Sequence, residues 1–582
     1  MPPISLPLAL EPRSSRAAIN RATSASVRFG EGFYAEEWEG SDAFRWMSSR
    51  GRIEFDPDPQ DRFLELHVFG QFGDLSQLLT AQAGSASEDL ALVSGWWSLS
   101  LPVPAGADAV VLAANKLFPP AYYPGDTRQL GVRVRRLRLH GDSVRHQDIR
   151  RHWANAVLNT REMIEGKTVL ESKPPSLGID LHGACNVKPP CVYCEWDFAK
   201  EEEGDSVDEP FTVETLRQWG PFFDHAAKLV NCSIGEPFMM KPIDDILDVL
   251  GERGKTLEMS TNGQILTDRN IEKLLGRDVH LYISLDAATP DTYRKLRNDT
   301  FEKILGNLRR LLQARKGHGG LPKVFLVFMP MKVNVHELDD FVRLTAELGA
   351  DQLILRPLNT APGNNLNWER GGYHFHYDQE ILPFGELVHV SGRARELCRR
   401  HGVPLSDQLD FGGAMEGMFH DEYVEGEQQG AAASEPASAA APELPPEAPP
   451  ATPPPTEAEA PKPSLGFERW PACTEPWRDL YILRRGIRPC CYGGASLGGL
   501  EDYATAWNSP LVQGIREHLG RGSFHNYCLL SPACPIVRKS EHAHTLPARY
   551  RRLWMLWRAW QKLNAWTGGI PRRALRRLRR RH

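Results

Sequence analysis

The sequence has no apolar stretch long enough to cross a membrane, because every hydrophobic run ends before the roughly 18 uncharged residues that a span needs. The N-terminal segment MPPISLPLALEPRSSR has only a short apolar run with no small-residue cleavage site after it, so we expect no secretory signal. Net charge is only -5 over 582 residues, and no basic field or recognisable module predicts nucleic-acid binding. These absences favour a cytoplasmic protein with reduced thiols.

Ten cysteines are too few for a disulfide-dense scaffold in a chain of this length, yet they are clustered. The segment DLHGACNVKPPCVYCEW contains Cys185, Cys191 and Cys194. A second group consists of Cys473, Cys490, Cys491, Cys528 and Cys534. In a reducing compartment, clustered cysteines bind metal more often than they form disulfides.

Three thiolates in one loop can hold three corners of a 4Fe-4S cluster and leave the fourth iron open to another ligand. Zinc is the structural alternative. It would prefer four protein ligands with C-x2-C pairs on both sides of the site, and no matching His or Cys lies near Cys194 in the sequence. Local spacing therefore favours the cluster and leaves zinc open.

Pattern changes divide the chain into regions of different structure. Short alternating runs such as FLELHVFG and GVRVRRLRLH predict an antiparallel β-sandwich over 25–142. Six strand and helix alternations over 170–362 predict an α/β fold with parallel strands in a partial or complete barrel. The remaining regions are a helical connection (363–425), a disordered Ala/Pro/Glu-rich linker (426–466), a compact cysteine-rich region (467–540) and an amphipathic basic tail (546–582).

Four motifs at the ends of the predicted strands resemble the radical SAM superfamily over about 175–360. They are CNVKPPCVYC, SIGEPFM, STNG and ISLDAATPDTYRKLR. The resemblance implies a partial (βα)6 radical SAM barrel, with Cys185, Cys191 and Cys194 binding a 4Fe-4S cluster and S-adenosylmethionine (SAM) beside it.

The same resemblance implies cofactor-binding roles for individual side chains. In the family, the aromatic residue at Tyr193 packs near the adenine, and the GEP segment receives the methionine amino group. The full predicted set is Tyr193, Gly235, Glu236, Pro237, Ser260, Asn262, Ser284 and Arg297. A carboxylate can bind an ammonium group and a forked guanidinium can bind a carboxylate, as an amino acid requires. Taken singly, each residue also has a structural alternative as a solvated, ion-paired or turn residue.

Two positions depart from the family pattern. Five residues separate Cys185 from Cys191, whereas the family usually has three, and Lys188, Pro189 and Pro190 lie among them. A longer loop can still close on one cluster, since added length raises the closure entropy only slowly. Ile234 stands where the family usually has a glycine, which narrows the backbone approach to the ligand.

The C-terminal cysteine region resembles the SPASM or twitch extension of radical SAM enzymes in its "C..PW", "PCC" and "WNS" segments. The resemblance implies one auxiliary 4Fe-4S cluster held by Cys473, Cys490, Cys528 and Cys534, with Cys491 as an alternative to Cys490. A structural zinc ion in the same four thiolates is the alternative. Cys232 and Cys398 lie apart from both groups, and a small core residue is the usual role of such a cysteine.

These expectations combine into an enzyme that cleaves SAM to a 5'-deoxyadenosyl radical, which abstracts hydrogen from a substrate. The expected reaction is an oxidation, or a radical-mediated modification or epimerisation. An electron donor such as flavodoxin or ferredoxin is the expected partner. The sequence does not identify a catalytic residue. The substrate alternatives are a glycan or nucleotide sugar in polysaccharide biosynthesis and a ribosomal peptide. The hypothesis from another class is a non-catalytic glycan-binding protein on a zinc-stabilised scaffold.

Two regions outside the barrel bear on these alternatives. Trp38, Trp46, Trp96 and Trp97 of the sandwich could stack on sugars, although tryptophans in a small sandwich are more often core residues. The tail over 546–582 suits either peripheral contact with an anionic inner membrane surface or packing on the barrel, and the sequence leaves both open.

Overall fold

The computed structural model describes residues 27–39, 42–118, 126–181, 183–194, 211–233, 235–241, 243–358, 367–409, 471, 473–484, 486–493, 495–531, 534 and 536–537. The predicted linker and tail, Ile234 and the side chain of Trp38 lie outside the described residues. Among the helices within those ranges, none is both long enough and apolar enough to cross a membrane.

The N-terminal region consists of two five-stranded antiparallel sheets. Their strands are β1 (Arg28–Phe29), β2 (Phe33–Glu39), β3 (Asp42–Met47), β4 (Arg50–Glu54), β5 (Arg62–Gly70), β6 (Leu78–Ala83), β7 (Ala86–Ala91), β8 (Gly95–Val103), β9 (Ala109–Ala114) and β10 (Arg133–His140). The orders are β1-β4-β9-β6-β7 and β2-β3-β10-β5-β8. Leu66 and Leu99 of one sheet share a buried apolar core with Leu79 and Leu112 of the other. The two sheets therefore pack face to face.

A long helix that the sequence analysis did not predict follows β10. This helix, α1 (Ser143–Ile164), begins at Asp142, whose carboxylate accepts hydrogen bonds from the backbone N–H groups of Val144 and Arg145, both at 3.0 Å. Its buried face includes the polar residues Asp148, His152, Asn155, Asn159 and Glu162. Because these polar side chains interrupt the apolar stripe, the helical period is weak in the sequence.

The rest of the described chain is built on a nine-stranded sheet. Its strands are β11 (Ser176–Ile179), β12 (Lys228–Asn231), β13 (Thr256–Thr261), β14 (Val279–Ser284), β15 (Lys323–Phe328), β16 (Gln352–Leu355), β19 (Leu405–Asp407), β20 (Asp479–Leu483) and β21 (Gly486–Arg488). The hairpin β17 (Asn367–Arg370) and β18 (Tyr373–His376) is separate. Strands β11 to β16 are adjacent in chain order and parallel. The mixed α/β fold that the alternation predicts is confirmed.

Helices connect these strands and cover the sheet. They are α2 (Val213–Gln218), α3 (Pro221–His225), α4 (Ile243–Glu252), α5 (Asp268–Leu274), α6 (Pro290–Leu296), α7 (Phe301–Ala314), α8 (Leu338–Leu348), α9 (Tyr377–Glu380), α10 (Phe384–His401), α11 (Glu475–Arg478), α12 (Tyr503–Ala506), α13 (Pro510–Gly520) and α14 (Asn526–Leu529). In α7, Ile304, Leu308 and Leu311 recur at helical spacing and are fully buried. The segment 363–425, predicted as a helical connection, contains the β17–β18 hairpin before α9, α10 and β19.

The C-terminal cysteine-rich region extends the same sheet, because β20 pairs in parallel with β11. Gly178 of β11 allows this close approach, since a Cβ atom there would lie 2.2 Å from Cδ1 of Tyr481. The buried Arg516 donates hydrogen bonds to the carbonyl oxygens of Pro476 (2.8 Å) and Thr168 (2.7 Å). These contacts attach the last described helices to the segment that leads into β11.

The sandwich contacts the N-terminal ends of the parallel strands. Arg136 of β10 donates to Asp278, just before β14, at 2.9 Å. Arg145 of α1 donates to both carboxylate oxygens of Glu65 at 2.7 Å and also to the carbonyl oxygen of Gly251. The sandwich thus lies at the opposite end of the sheet from the predicted site residues, which follow the C-terminal ends of the strands.

Candidate active site at the C-terminal strand ends

The loop after β11 carries the three cysteines of the first group. Cys191 is buried, with 9% of its surface exposed, while Cys185 and Cys194 are half-buried. The backbone N–H of Cys194 donates to the carbonyl oxygen of Cys191 at 3.0 Å, which closes a tight turn over CVYC. Burial raises the pKa of the Cys185 thiol. The loop therefore brings the three thiols to one edge of the sheet.

Arg297 contacts this loop directly. Its Nη1 lies 3.3 Å from the sulfur of Cys191, and its Nη2 donates to the carboxylate of Asp286 at 2.9 Å. Only 4% of Arg297 is exposed, and its Nε has no hydrogen-bond partner among the described residues. A buried guanidinium with a spare N–H group next to a thiol provides both positive potential and one donor for a further ligand.

Asp286 was not predicted, although it lies inside the quoted ISLDAATP motif. It is fully buried, and its Oδ2 accepts hydrogen bonds from the Tyr193 hydroxyl (2.6 Å) and from Arg297. The backbone of Asp286 has a φ of +59°, which a non-glycine residue rarely adopts. The amide of Asn334 holds it by donating to the Asp286 carbonyl oxygen at 2.8 Å. Asp286 thus aligns two of the predicted cofactor-binding residues.

Glu236 occupies a second buried position at the edge. It is 1% exposed and accepts hydrogen bonds from the Thr261 hydroxyl and the Asn262 backbone N–H, both at 2.8 Å. Glu236 forms no ion pair within the described ranges. Burial raises its pKa to about 7, although these hydrogen bonds act in the opposite direction. The site therefore has a buried carboxylate that can still accept a cation.

Gly235 and Pro237 flank this carboxylate, and Pro237 starts a short 3-10 turn, Pro237–Met239. The backbone N–H of Glu236 donates to the carbonyl oxygen of Ala184, next to Cys185, at 2.8 Å. The GEP segment and the cysteine loop are consequently joined through their backbones.

The amide of Asn262 connects the STNG turn with the cysteine loop. Its Nδ2 donates to Oδ1 of Asn186 at 2.9 Å and lies 3.9 Å from the sulfur of Cys185. Gln264, which was not predicted, accepts from Nδ2 of Asn186 at 3.2 Å. Polar side chains from two strand ends therefore meet at Cys185.

The two predicted serines lie on neighbouring strands of the same edge. Ser260 of β13 is exposed and pairs across the sheet with Tyr282, whereas Ser284 at the end of β14 is half-buried and pairs with Val327. By strand alternation, Ser260, Tyr282 and Ser284 share one face. Within the described residues, neither serine side chain forms a hydrogen bond with the cysteine loop.

The surroundings of the three thiols fit an iron-sulfur cluster. Within the described part of the chain, no three His, Cys, Asp or Glu side chains converge closely enough to hold one metal ion. Three thiols of one loop, with the Arg297 cation and the Asn262 amide directed at two of their sulfurs, suit an anionic, thiolate-ligated cluster.

The five cysteines of the second group are half-buried. Cys473 interacts electrostatically with Cys490 and Cys534, and Cys528 interacts with the same two thiols. Partial burial is the main cause that raises the pKa of all four thiols. The pKa of Cys528 rises to about 12. The pKa of Cys491 is also raised, first by burial and then by the charges of Glu475, Cys490, Cys232 and Cys473.

Relatives in sequence and structure cover parts of this chain. A Methanocaldococcus jannaschii protein named probable GTP 3',8-cyclase is 25% identical over 203 residues, which make up 34% of this chain and 62% of the relative. A Saccharolobus solfataricus protein of the same name is 29% identical over 191 residues, or 31% of this chain and 56% of the relative. The chain thus spans less than two thirds of the length of these curated relatives.

Among solved structures, Streptococcus suis SuiB bound to S-adenosylmethionine is 13% identical, with a TM-score of 0.41; the match covers 67% of this chain and 80% of SuiB.

The family described as the radical SAM superfamily matches residues 179–345. This range begins at the last residue of β11 and extends into α8, so it contains the three cysteines, the Glu236 and Asn262 segments, Asp286 and Arg297. The chain therefore contains a radical SAM domain, and the enzymes of that superfamily use a 4Fe-4S cluster and SAM.

Proposed function

We propose that the protein is a radical SAM enzyme in which Cys185, Cys191 and Cys194 bind the SAM-binding 4Fe-4S cluster. The observation that carries the proposal is the buried contact of Arg297 with Cys191, since this guanidinium places positive charge and N–H donors where an anionic, thiolate-ligated cluster would lie. When bound, the cluster and SAM supply a 5'-deoxyadenosyl radical that abstracts a hydrogen atom from the substrate.

The residues around the thiols have separate roles in this proposal. Glu236 receives the ammonium group of the methionine moiety, because its buried carboxylate accepts three hydrogen bonds from neutral donors but forms no ion pair among the described residues. The spare Nε of Arg297 binds an anionic or carbonyl oxygen of SAM. Asp286 keeps Tyr193 and Arg297 in a fixed relation. Gly235, Pro237, Asn262, Ser260 and Ser284 complete the proposed SAM site.

A second part of the proposal concerns the C-terminal region. Cys473, Cys490, Cys528 and Cys534 would hold an auxiliary 4Fe-4S cluster of the SPASM or twitch kind. The electrostatic influence among these half-buried thiols supports the set, with Cys491 as the alternative to Cys490. Because β20 lies beside β11, such a cluster would sit against the edge of the core sheet. Its role would be to take an electron from the substrate or to bind it.

The glycan hypothesis loses its structural basis in the sandwich. Trp46 is buried in an aromatic cluster, and Trp96 is half-buried beneath Arg133 and Arg135. The sandwich also contacts the N-terminal ends of the parallel strands, opposite the proposed SAM site. A peptide remains the substrate hypothesis from the family resemblance, and a nucleotide is added because the curated relatives are named GTP 3',8-cyclases.

The decisive experiment is 5'-deoxyadenosine formation from SAM by anaerobically reconstituted protein with a strong reductant. We compare wild type with Cys194→Ala and, as a matched control, with Cys398→Ala, which removes a buried thiol of α10 outside both cysteine groups. We expect product from wild type and the control but none from Cys194→Ala. Zinc-loaded protein with no product from any of the three would instead support the zinc-scaffold alternative.

A further inference from the structure

The β17–β18 hairpin places an arginine against the cysteine loop. Its two-residue turn consists of Gly371 and Gly372, with φ of +57° and +70°, which only glycine adopts readily. Arg370 therefore stands at the end of β17, directly opposite Tyr373 on β18. A tight turn of this type fixes where the Arg370 side chain leaves the backbone.

The guanidinium of Arg370 joins two separate segments of the site. Its Nη1 donates to the carbonyl oxygen of Pro190 at 2.7 Å and to that of Arg297 at 2.8 Å. Pro190 immediately precedes Cys191, and Arg297 is the residue whose side chain contacts the Cys191 sulfur. One cationic donor thus holds the backbone on both sides of the Cys191–Arg297 contact.

A third hydrogen bond connects the same two segments, because the backbone N–H of Val192 donates to the carbonyl oxygen of Leu296 at 3.0 Å. Residues 190–192 and 296–297 therefore lie side by side, with Arg370 at one end. Without a donor, the carbonyl oxygens of Pro190 and Arg297 would face each other across a partly buried space, which is unfavourable.

The hairpin is itself anchored. Phe375 and Tyr377 are buried in the same apolar cluster as Val192 and Leu296. The Tyr373 hydroxyl donates to Glu380, whose other carboxylate oxygen accepts from the backbone N–H of Val333 at 2.9 Å. The hairpin that carries Arg370 is thus held in place by its own packing and hydrogen bonds.

The length of the cysteine loop explains why a hydrogen bond from Arg370 to Pro190 would be needed. Pro190 belongs to the five residues between Cys185 and Cys191, and a longer loop has more conformations that must be excluded before its thiols can converge. Proline also has no backbone N–H to donate, so Pro189 and Pro190 cannot bind their own segment through such bonds. An external donor to Pro190 supplies the missing restraint.

We propose that Arg370 is a positioning residue that fixes Cys191 relative to Arg297, a role that rests on the proposed function of these two residues. Arg370 acts through the two carbonyl oxygens and touches no reacting atom. The hairpin would then serve as the support that allows the extended loop to hold its cysteines in place.

The first test uses metal-free protein and measures the rate at which iodoacetamide alkylates Cys191, resolved by mass spectrometry. Arg370→Met removes both hydrogen bonds, so we expect the loop to open more often and Cys191 to react roughly five to ten times faster. Glu369→Gln is the matched control, because Glu369 is the exposed neighbour on the same strand. It should react at the wild-type rate.

The second test uses reconstituted protein and follows the electron paramagnetic resonance spectrum of the reduced cluster as SAM is added. Arg370→Met should retain its iron and its melting temperature within a few degrees but bind SAM about tenfold more weakly. Arg370→Lys should recover part of that affinity, since an ammonium group can still donate to one of the carbonyl oxygens.

The two tests separate the two proposals. If adding SAM does not change the spectrum of the wild-type protein, the proposed function is contradicted. The alkylation rates of Cys191 would still decide the role of Arg370. Alkylation of Cys191 in Arg370→Met within twofold of wild type would overturn the positioning role. If Arg370→Met does not fold, Arg370→Gln provides the same comparison, because its shorter amide cannot reach both oxygens.

Discussion

The two ends of the parallel sheet differ in how their buried charged side chains are paired. At the N-terminal end four buried acids meet bases: Glu65 with Arg145, Asp148 with Arg253, Glu258 with Lys228 and Asp351 with Lys323. At the C-terminal end Glu236 is buried without an ion pair in the described residues, and Arg297 keeps an unpartnered Nε. A buried charged or polar group that lacks a hydrogen-bond or ionic partner destabilises the fold. Such groups are therefore typical of sites where a bound ligand supplies the partner. The difference distinguishes the end that contacts the sandwich from the end at which we propose that SAM binds.

Removing a partner at the N-terminal end should produce the largest effect. Glu65→Gln leaves the buried Arg145 without its charged acceptor, so we expect the free energy of unfolding at pH 7 to fall by about 3 to 5 kcal/mol. Glu54→Gln, which breaks a partly exposed pair with Arg28 in the same domain, should change it by less than about 1 kcal/mol. Chemical denaturation of both variants measures the contrast, and equal effects would contradict it.

The same pair predicts a pH dependence. Burial alone would raise the pKa of Glu65, but the charge and hydrogen bond of Arg145 lower it from 4.5 to about 2. Its stabilising contribution is therefore present above pH 4.5 and is lost as the pH falls toward 2. In Glu65→Gln this part of the acid sensitivity should be absent.

At the binding end, Glu236→Gln should lower SAM affinity about a hundredfold, or ~2.7 kcal/mol, because the ammonium group loses its charged acceptor. Stability should change in the other direction. Since the pKa of Glu236 is raised to about 7, the folded chain holds a proton between pH 4.5 and 7 that the unfolded chain has released. Wild-type stability therefore falls as the pH rises through this window.

Glu236→Gln has no ionisable group at this position, so its stability should not fall as the pH rises from 4.5 to 7 for this reason. At pH 8 and without SAM, we expect Glu236→Gln to be more stable than wild type by about 1 to 3 kcal/mol. Calorimetric SAM titration and denaturation at pH 5 and 8 test both halves. A variant that binds SAM normally, or is less stable than wild type at pH 8, would remove the contrast between the two ends.

Asp286→Asn tests whether the paired charge within the binding end serves the ligand. Tyr193 and Arg297 would lose their shared charged acceptor, and we expect SAM affinity to fall about tenfold. The matched control is Asp291→Asn, which removes an exposed partner of Lys295 on α6. If the two variants bind SAM equally well, Asp286 is a structural residue only.

The smallest effect is expected for Ser260→Ala. The side chain is exposed, so the melting temperature should not change measurably, while loss of one neutral hydrogen bond should weaken SAM binding about threefold. The same titration measures it. If the variant binds SAM with unchanged affinity, Ser260 does not contribute to SAM binding.

The sequence by itself determined the parts of this protein that lie in short motifs. The cysteine triplet and Glu236 follow strand ends that the periodicity marks, and Arg297 ends the short helix α6 that follows β14. The radical SAM domain and the mixed α/β fold followed from these motifs. Local spacing suffices there, because a strand, its turn and the next helix are continuous in the chain.

Only the tertiary structure decided how distant segments meet. It placed β20 beside β11 and set Asp148 of α1 against Arg253, and it brought Asp286 to Tyr193 and Arg370 to Pro190, residues far away in the sequence. Arg370 contacts Pro190 across 180 positions. No local period encodes such a contact, because its energy comes from two carbonyl oxygens that become neighbours only after the sheet has formed.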